Sequence, residues 1–201
     1  VSLAVASFGQ TFKVTPMQMI CAVGAVVNDG KLMRPHIVKE IVDDNGIVTK
    51  KYDPEVVRQV VSEKTSDFIN GALEKTVATG TGKNARVSGY RIGGKTGTSE
   101  KRDEYKAEEG NKYVASFFGV APMEDPEIGI LIILDTPRGV YYEGSQLAAP
   151  VAGKVFAEIL PYLGFEPTYS ADEMIGAEAT MPNLIGGTAE SVRSLLSSSR
   201  N

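Results

Sequence analysis

Two strand-like stretches, YVASFFGVAP (113–122) and EIGILIILDTP (127–137), are separated by four residues that end in Asp125-Pro126. A third, YRIGGKTGTS (90–99), precedes them across the charged loop KRDEYKAEEGNK (101–112). Parallel neighbours need a crossover that is usually a helix, and neither connection has room for one. The three strands must therefore run antiparallel, which excludes the doubly wound parallel folds. The expected class is α+β, an antiparallel sheet flanked by helices.

The helices carry their own signals. Thr15 is placed as an N-cap, Pro16 at the first helical position and Gln18 as the capping-box partner. Met17, Ile20, Cys21, Val23, Gly24 and Val27 then recur at helical spacing, an apolar stripe that puts Cys21 in the core, until Asn28-Asp29-Gly30 ends the element. LMRPHIVKEIV and IVTKKY flank Asp44-Asn45-Gly46, a hairpin that projects or caps, with His36 on its first strand. Ser62 opens a second helix whose face is Phe68, Ile69, Ala72, Leu73, Thr76 and Val77, running out into Gly80-Thr81-Gly82. A last helix, from about Gln146 to Leu160, offers Leu147, Val151, Val155, Ile159 and Leu160 to the sheet. The periodicity fades at Pro167, so residues 167–181 read as a linker and 182–201 as the start of a further small unit.

Several chemistries are excluded by counting. Cys21 and His36 are the only cysteine and histidine among 201 residues. No internal disulfide, thiolate cluster or His–His metal pair can form, His36 between Pro35 and Ile37 reads as structural rather than as the base of a Ser-His-Asp triad, and no cofactor or metal is implied. An acyl-transfer enzyme of this composition would need lysine as its base. A net charge of −4, without clustered Lys and Arg, argues against a nucleic-acid partner. The longest apolar run, Ile128 to Leu134, is strand-sized rather than membrane-spanning. The chain opens on Val1 in mid-pattern and reads as a fragment, so any anchor is expected outside it.

The stretch GYRIGGKTGTSEK (89–101) admits two readings. From Gly89 it fits the phosphate-cradling loop of nucleotide hydrolases, with ILIILD as the magnesium-holding strand. That loop needs a buried strand before it and a helix after it, and Asn84–Ser88 and Gly97–Asp103 provide neither. The alternative is a peptide-binding edge strand. Gly93, Gly94 and Gly97 let another backbone approach closely, so that an extended peptide can add as a further strand. Lys95 then supplies positive charge or proton transfer, Thr96 and Thr98 supply hydroxyls, and a nearby backbone N–H serves an oxyanion. A Lys- and Gly-rich edge also serves simply to resist aggregation.

Further motifs favour the peptide reading. Ser7-Phe8-Gly9-Gln10, Val14-Thr15-Pro16-Met17-Gln18 and Arg34-Pro35-His36-Ile37-Val38 occur in order before TGTGKNARVSGYRIGGKTGTSEK and SFFGVAPMEDPEIGILIILDTP. Together these resemble the class B penicillin-binding proteins over nearly the whole chain. The tail MPNLIGGTAESVRSLL is similar to the opening of a PASTA domain.

The resemblance implies a transpeptidase domain over 1–166, of β-lactamase-like fold and incomplete in this chain. It implies a membrane-anchored, extracytoplasmic enzyme that cross-links peptidoglycan stem peptides ending in D-Ala-D-Ala through a serine acyl-enzyme, and that β-lactams acylate. Lys95 and Thr98 would be its catalytic residues here, and Thr96, Gly97, Thr98 and Ser99 would line the substrate strand. Lys95 and Thr98 fall on opposite faces by strand alternation, so both serve one cleft only along the strand's edge. No Ser stands three positions before any Lys, so the nucleophile motif S-x-x-K is absent, and S-x-N occurs only as Ser199-Arg200-Asn201. The nucleophile is then expected from an upstream half of the same protein. The alternative is a non-catalytic cell-wall-binding module.

Overall fold

The computed structural model describes residues 13–101 and 112–170, with Ala4 and Gly9 besides. The chain divides into a unit of residues 1–167 and a second of 168–201. The PASTA-like tail, most of the linker, Ser7, Phe8 and Gln10 lie outside the described residues.

The first unit runs α1 (Pro16–Val27), β1 (Lys31–Met33), β2 (Glu40–Val42), β3 (Val48–Lys51), β4 (Val56–Gln59) and α2 (Glu63–Ala78). A short 3-10 turn (Lys83–Ala85) leads to β5 (Gly93–Glu100), β6 (Tyr113–Ala121), β7 (Ile128–Asp135) and α3 (Gly144–Tyr162). The sheet has the order β5-β6-β7 and is antiparallel throughout, as the short connections require.

Both faces of the sheet are covered. Adjacent residues on β6 point to opposite sides, so Phe117 joins Phe156 and Leu160 of α3, while Phe118 joins Val27 of α1 and Leu73 of α2. α1 begins with the expected capping box, in which the Thr15 N–H donates to Gln18 Oε1 at 2.9 Å and the Gln18 N–H donates to Thr15 Oγ1 at 3.2 Å. β2 and β3 form a hairpin held within the β1–β4 pair, and its exposed strands project from the unit.

Four expectations need correction. His36 is exposed in the connection between β1 and β2, not on a strand. Cys21 is half-buried rather than in the core, and with Met17, Ile20 and Phe118 it lines a cavity of about 400 Å³. Phe68 is 79% exposed, and Ala72 is exposed as well. α2 instead buries Ser66, whose hydroxyl donates to Val26 O, and Asn70 Nδ2 donates to Val27 O at 3.3 Å. These polar groups occupy an interior face because they satisfy carbonyls at the end of α1.

The fourth correction concerns α3, which starts at Gly144 and leaves Val151 and Val155 exposed. Its buried face is Ala148, Ala149, Ala152, Gly153, Phe156 and Leu160. Size selects this stripe. A Cβ on Gly153 would stand 3.1–3.3 Å from backbone atoms of Ala85, so the helix lies against the main chain where no branched side chain fits.

Candidate active site

The site builds outward from β5. Its first residues are fixed from behind: a Cβ on Gly93 would lie 2.5 Å from Met123 Sδ, and one on Gly94 2.6 Å from Phe118 O. Glycine is therefore required for α2 and β6 to close on this end of the strand. From Lys95 onward the strand emerges. β5 is an edge of the three-stranded sheet, and Lys95, Thr98 and Ser99 are exposed along it.

Lys95 shares a face with Gly93, beside Leu73, and its Nζ donates to the Thr96 carbonyl at 2.8 Å. Thr96 turns the other way, its hydroxyl 3.1 Å from that of Thr81. Gly97 stands opposite Ser116 on β6, where a Cβ would lie 2.5 Å from the serine hydroxyl. Lys95 and Thr98 thus project from opposite faces of an edge strand along which no further strand pairs among the described residues.

Thr98 has a partner that no local pattern announces. Its Oγ1 accepts the N–H of Gly144, the first residue of α3, at 3.1 Å. A hydroxyl whose oxygen accepts in this way keeps its own proton to donate to another acceptor. The N-terminus of α3 brings partial positive charge to the Thr98 side of β5 and the Lys95 ammonium lies on the other face, so the strand edge between them favours an anionic group. Gly144 cannot carry a side chain, because its Cβ would sit within contact distance of the carbonyl oxygens of Ser116 and Gly97. Just before it, Tyr142 stacks on Tyr113 of β6 with ring centroids 4.3 Å apart.

The sheet end is closed by Lys101, which reaches Asp135 at 2.9 Å. That contact and the Thr136 hydroxyl hold the Asp135 carboxyl below its ordinary range. At the opposite end Arg91 forks onto both oxygens of Glu74 and reaches Glu124 at 3.2 Å, which lowers the Glu74 carboxyl in turn.

The nucleotide reading fails on this geometry. Gly93–Thr96 pairs with β6 in an antiparallel ladder, and β6 rather than a helix is the next element among the described residues. Sequence reasoning found Lys95, Thr96, Gly97, Thr98 and Ser99 on one strand but missed Thr81, Asn84 and Gly144. The one available signal was a glycine two residues before the expected start of the last helix at Gln146. Among the described residues no group of three or more His, Cys, Asp or Glu is placed to hold a metal ion, and no helix is long and apolar enough to cross a membrane.

Residues 1–157 match the model of the penicillin binding protein transpeptidase domain. The chain is 41% identical over 204 residues to Stage V sporulation protein D of Bacillus subtilis, across 98% of this chain and 31% of that protein. To a peptidoglycan D,D-transpeptidase FtsI homolog of Mesostigma viride it is 30% identical over 169 residues, across 78% of this chain and 28% of the relative. The solved TP domain of Burkholderia pseudomallei penicillin-binding protein 3 is similar with a TM-score of 0.66 at 31% identity, covering 83% of this chain and 48% of that one. The chain spans about a third of the length of the curated relatives it matches. On these matches, the chain belongs to the penicillin-binding protein transpeptidase family.

Proposed function

We propose that the protein containing this chain is a peptidoglycan D,D-transpeptidase of the division and sporulation type, and that residues 93–100 are the strand on which its stem peptide lies. The observation that carries this is the open edge of β5, with the Lys95 ammonium on one side and the Thr98 hydroxyl, its oxygen held by Gly144, on the other. A stem peptide ending in D-Ala-D-Ala adds as an extended strand, and its carboxylate accepts a hydrogen bond from the Thr98 hydroxyl in the field of Lys95. A serine from an upstream segment attacks the penultimate carbonyl, and D-Ala leaves with the proton. The acyl group then passes to an amine of a neighbouring strand. β-Lactams present a strained amide and a carboxylate at the same spacing, so they acylate the serine and stay. Thr98 N–H serves the oxyanion, Gly97 lets the substrate backbone lie close, and Thr96 anchors the strand.

The upstream half has a place to go. β7 consists almost wholly of apolar residues, yet none of its side chains is buried, and it forms the other edge of the sheet. A long apolar edge is a template for a further strand. Beside it lies the cavity between α1 and the Phe118 face, ready to receive apolar side chains. On this reading the membrane anchor also lies outside the chain, the catalytic unit is extracytoplasmic, and residues 182–201 open a PASTA-like domain.

The test is labelling of the intact protein with a fluorescent penicillin. One equivalent of covalent label on a serine upstream of Val1 is expected, and Lys95→Ala should abolish it while the protein still melts cooperatively. An intact protein that takes no label would instead be a binding module. Near-normal labelling of Lys95→Ala would remove the role given to that lysine.

A further inference from the structure

The Thr98 hydroxyl is useful to a substrate only while its oxygen stays on the N–H of Gly144, because that bond sets where its proton points. Two elements must therefore hold their relative position: β5 and the first turn of α3. One short segment touches both.

Between α2 and β5 the chain passes through Gly80-Thr81-Gly82 into the 3-10 turn Lys83–Ala85. The Thr81 hydroxyl meets that of Thr96, which lies two residues before Thr98 on the same face of β5. The Asn84 side-chain amide donates to the carbonyl of Ser145, the residue after Gly144, at 2.8 Å. Ala85 is fully buried where it abuts Gly153 of α3. Ser145 and Gly153 lie about 12 Å apart along the helix axis. Gripped at two points so far apart, α3 can neither rotate nor slide independently of the segment. The segment is tied down in turn by the N–H groups of Gly80 and Gly82, which donate to Thr76 O at 3.1 and 3.0 Å.

We infer that residues 81–85 are a positioning strap, in which Asn84 and Thr81 keep the Thr98 hydroxyl aimed at the substrate carboxylate. The inference rests on the carboxylate-binding role proposed for Thr98. Neither Asn84 nor Thr81 touches the substrate; each acts through one partner of the Thr98–Gly144 bond. Without the Asn84 amide, the first turn of α3 loses its lateral tie and the hydroxyl proton loses its direction. Without the Thr81 hydroxyl, β5 loses its tie at Thr96.

The test uses the intact transpeptidase and two acylating agents, benzylpenicillin and its methyl ester, which lacks the anionic carboxylate. Thr98→Val sets the reference by losing the preference for the free acid. Asn84→Ala is expected to slow acylation by the free acid roughly tenfold, the value of a hydrogen bond to a charged group, and acylation by the ester about twofold or less. The double variant Asn84→Ala/Thr98→Val should acylate no more slowly than Thr98→Val alone, since both changes remove one interaction. Thr81→Val should show the same selective loss, and Thr81→Ser should restore it. Thr81 is exposed, so this pair keeps the test decisive if Asn84→Ala does not fold. Equal slowing of both agents, or of neither, in the strap variants would overturn the inference while leaving the role of Thr98 intact. Should Thr98→Val itself keep its preference for the acid, the carboxylate reading falls and the strap falls with it.

Discussion

Replacing Gly144 with alanine tests the geometry at its tightest point. A Cβ there meets the carbonyl oxygens of Ser116 and Gly97 and lies 3.2 Å from Gly97 N. Gly97 and Ser116 are register partners in the β5–β6 ladder, so these backbone atoms cannot turn aside as a side chain would. The first turn of α3 must retreat by roughly 1 Å to restore ordinary contact. That stretches the bond to Thr98 beyond hydrogen-bonding range. Overpacking costs about 1–3 kcal/mol and the lost bond about 1 kcal/mol, while alanine recovers up to about 1 kcal/mol of helix propensity. The net loss is about 2 kcal/mol, or roughly 4–8 °C in melting temperature for a unit of this size. Scanning fluorimetry measures the first quantity, and the rate of penicillin acylation, expected to fall about tenfold with the mis-aimed hydroxyl, measures the second. Gly71→Ala is the control. Nothing lies within 4 Å of its added Cβ, and the change should stabilise α2 by about 0.5–1 kcal/mol. A Gly144→Ala protein that melts and acylates like its parent would refute the reasoning.

Other consequences are measurable in the same preparations. Phe156 is fully buried under β6, so Phe156→Ala should cost about 3–5 kcal/mol in denaturant unfolding. Arg91 holds the Glu74 carboxyl below its ordinary value of 4.5, so the unfolded chain takes up this proton at a higher pH than the folded one. That stabilisation is complete above the ordinary value and disappears as the pH falls through the folded-state value; Glu74→Gln should flatten this part of the pH–stability profile. Ile133 is 42% exposed on the open edge strand, and Ile133→Lys should reduce self-association of the 201-residue chain in sedimentation velocity runs. Unchanged self-association would mean that β7 is not the sticky edge.

What the sequence discloses and what it hides divide along physical lines. Antiparallel order was legible because it follows from the length of two connections. The capping box at Thr15 and Gln18 was legible because cap chemistry is completed within one turn. The face of α3 was not, since Val151 and Val155 make as good an apolar stripe as the alanines until the nearness of Ala85 is known. Phe68 misled for the same reason: α2 meets the end of α1, where hydroxyl and amide groups are worth more than a ring. Within the site, Lys95 to Ser99 were visible as one glycine- and hydroxyl-rich strand. Gly144, Thr81 and Asn84 reach that strand or its neighbour from distant parts of the chain through backbone atoms and short side chains, and such contacts leave no periodic trace.

α3 also has a mechanical meaning. Its nineteen residues form a strut about 28 Å long, with Thr98 at one end. At the other, the Tyr90 hydroxyl donates to Phe165 O at 2.9 Å, two residues before the unit ends at Pro167. A pull on the chain beyond Pro167 is carried first by that bond and then along the helix axis. Between the ends the helix is held sideways, by Gly153 against the Ala85 main chain, by the Asn84 amide on Ser145 O, and by the buried Phe156 and Leu160. Load entering α3 at that end is thus shed into the sheet and the 81–85 segment before it reaches the hydroxyl of Thr98.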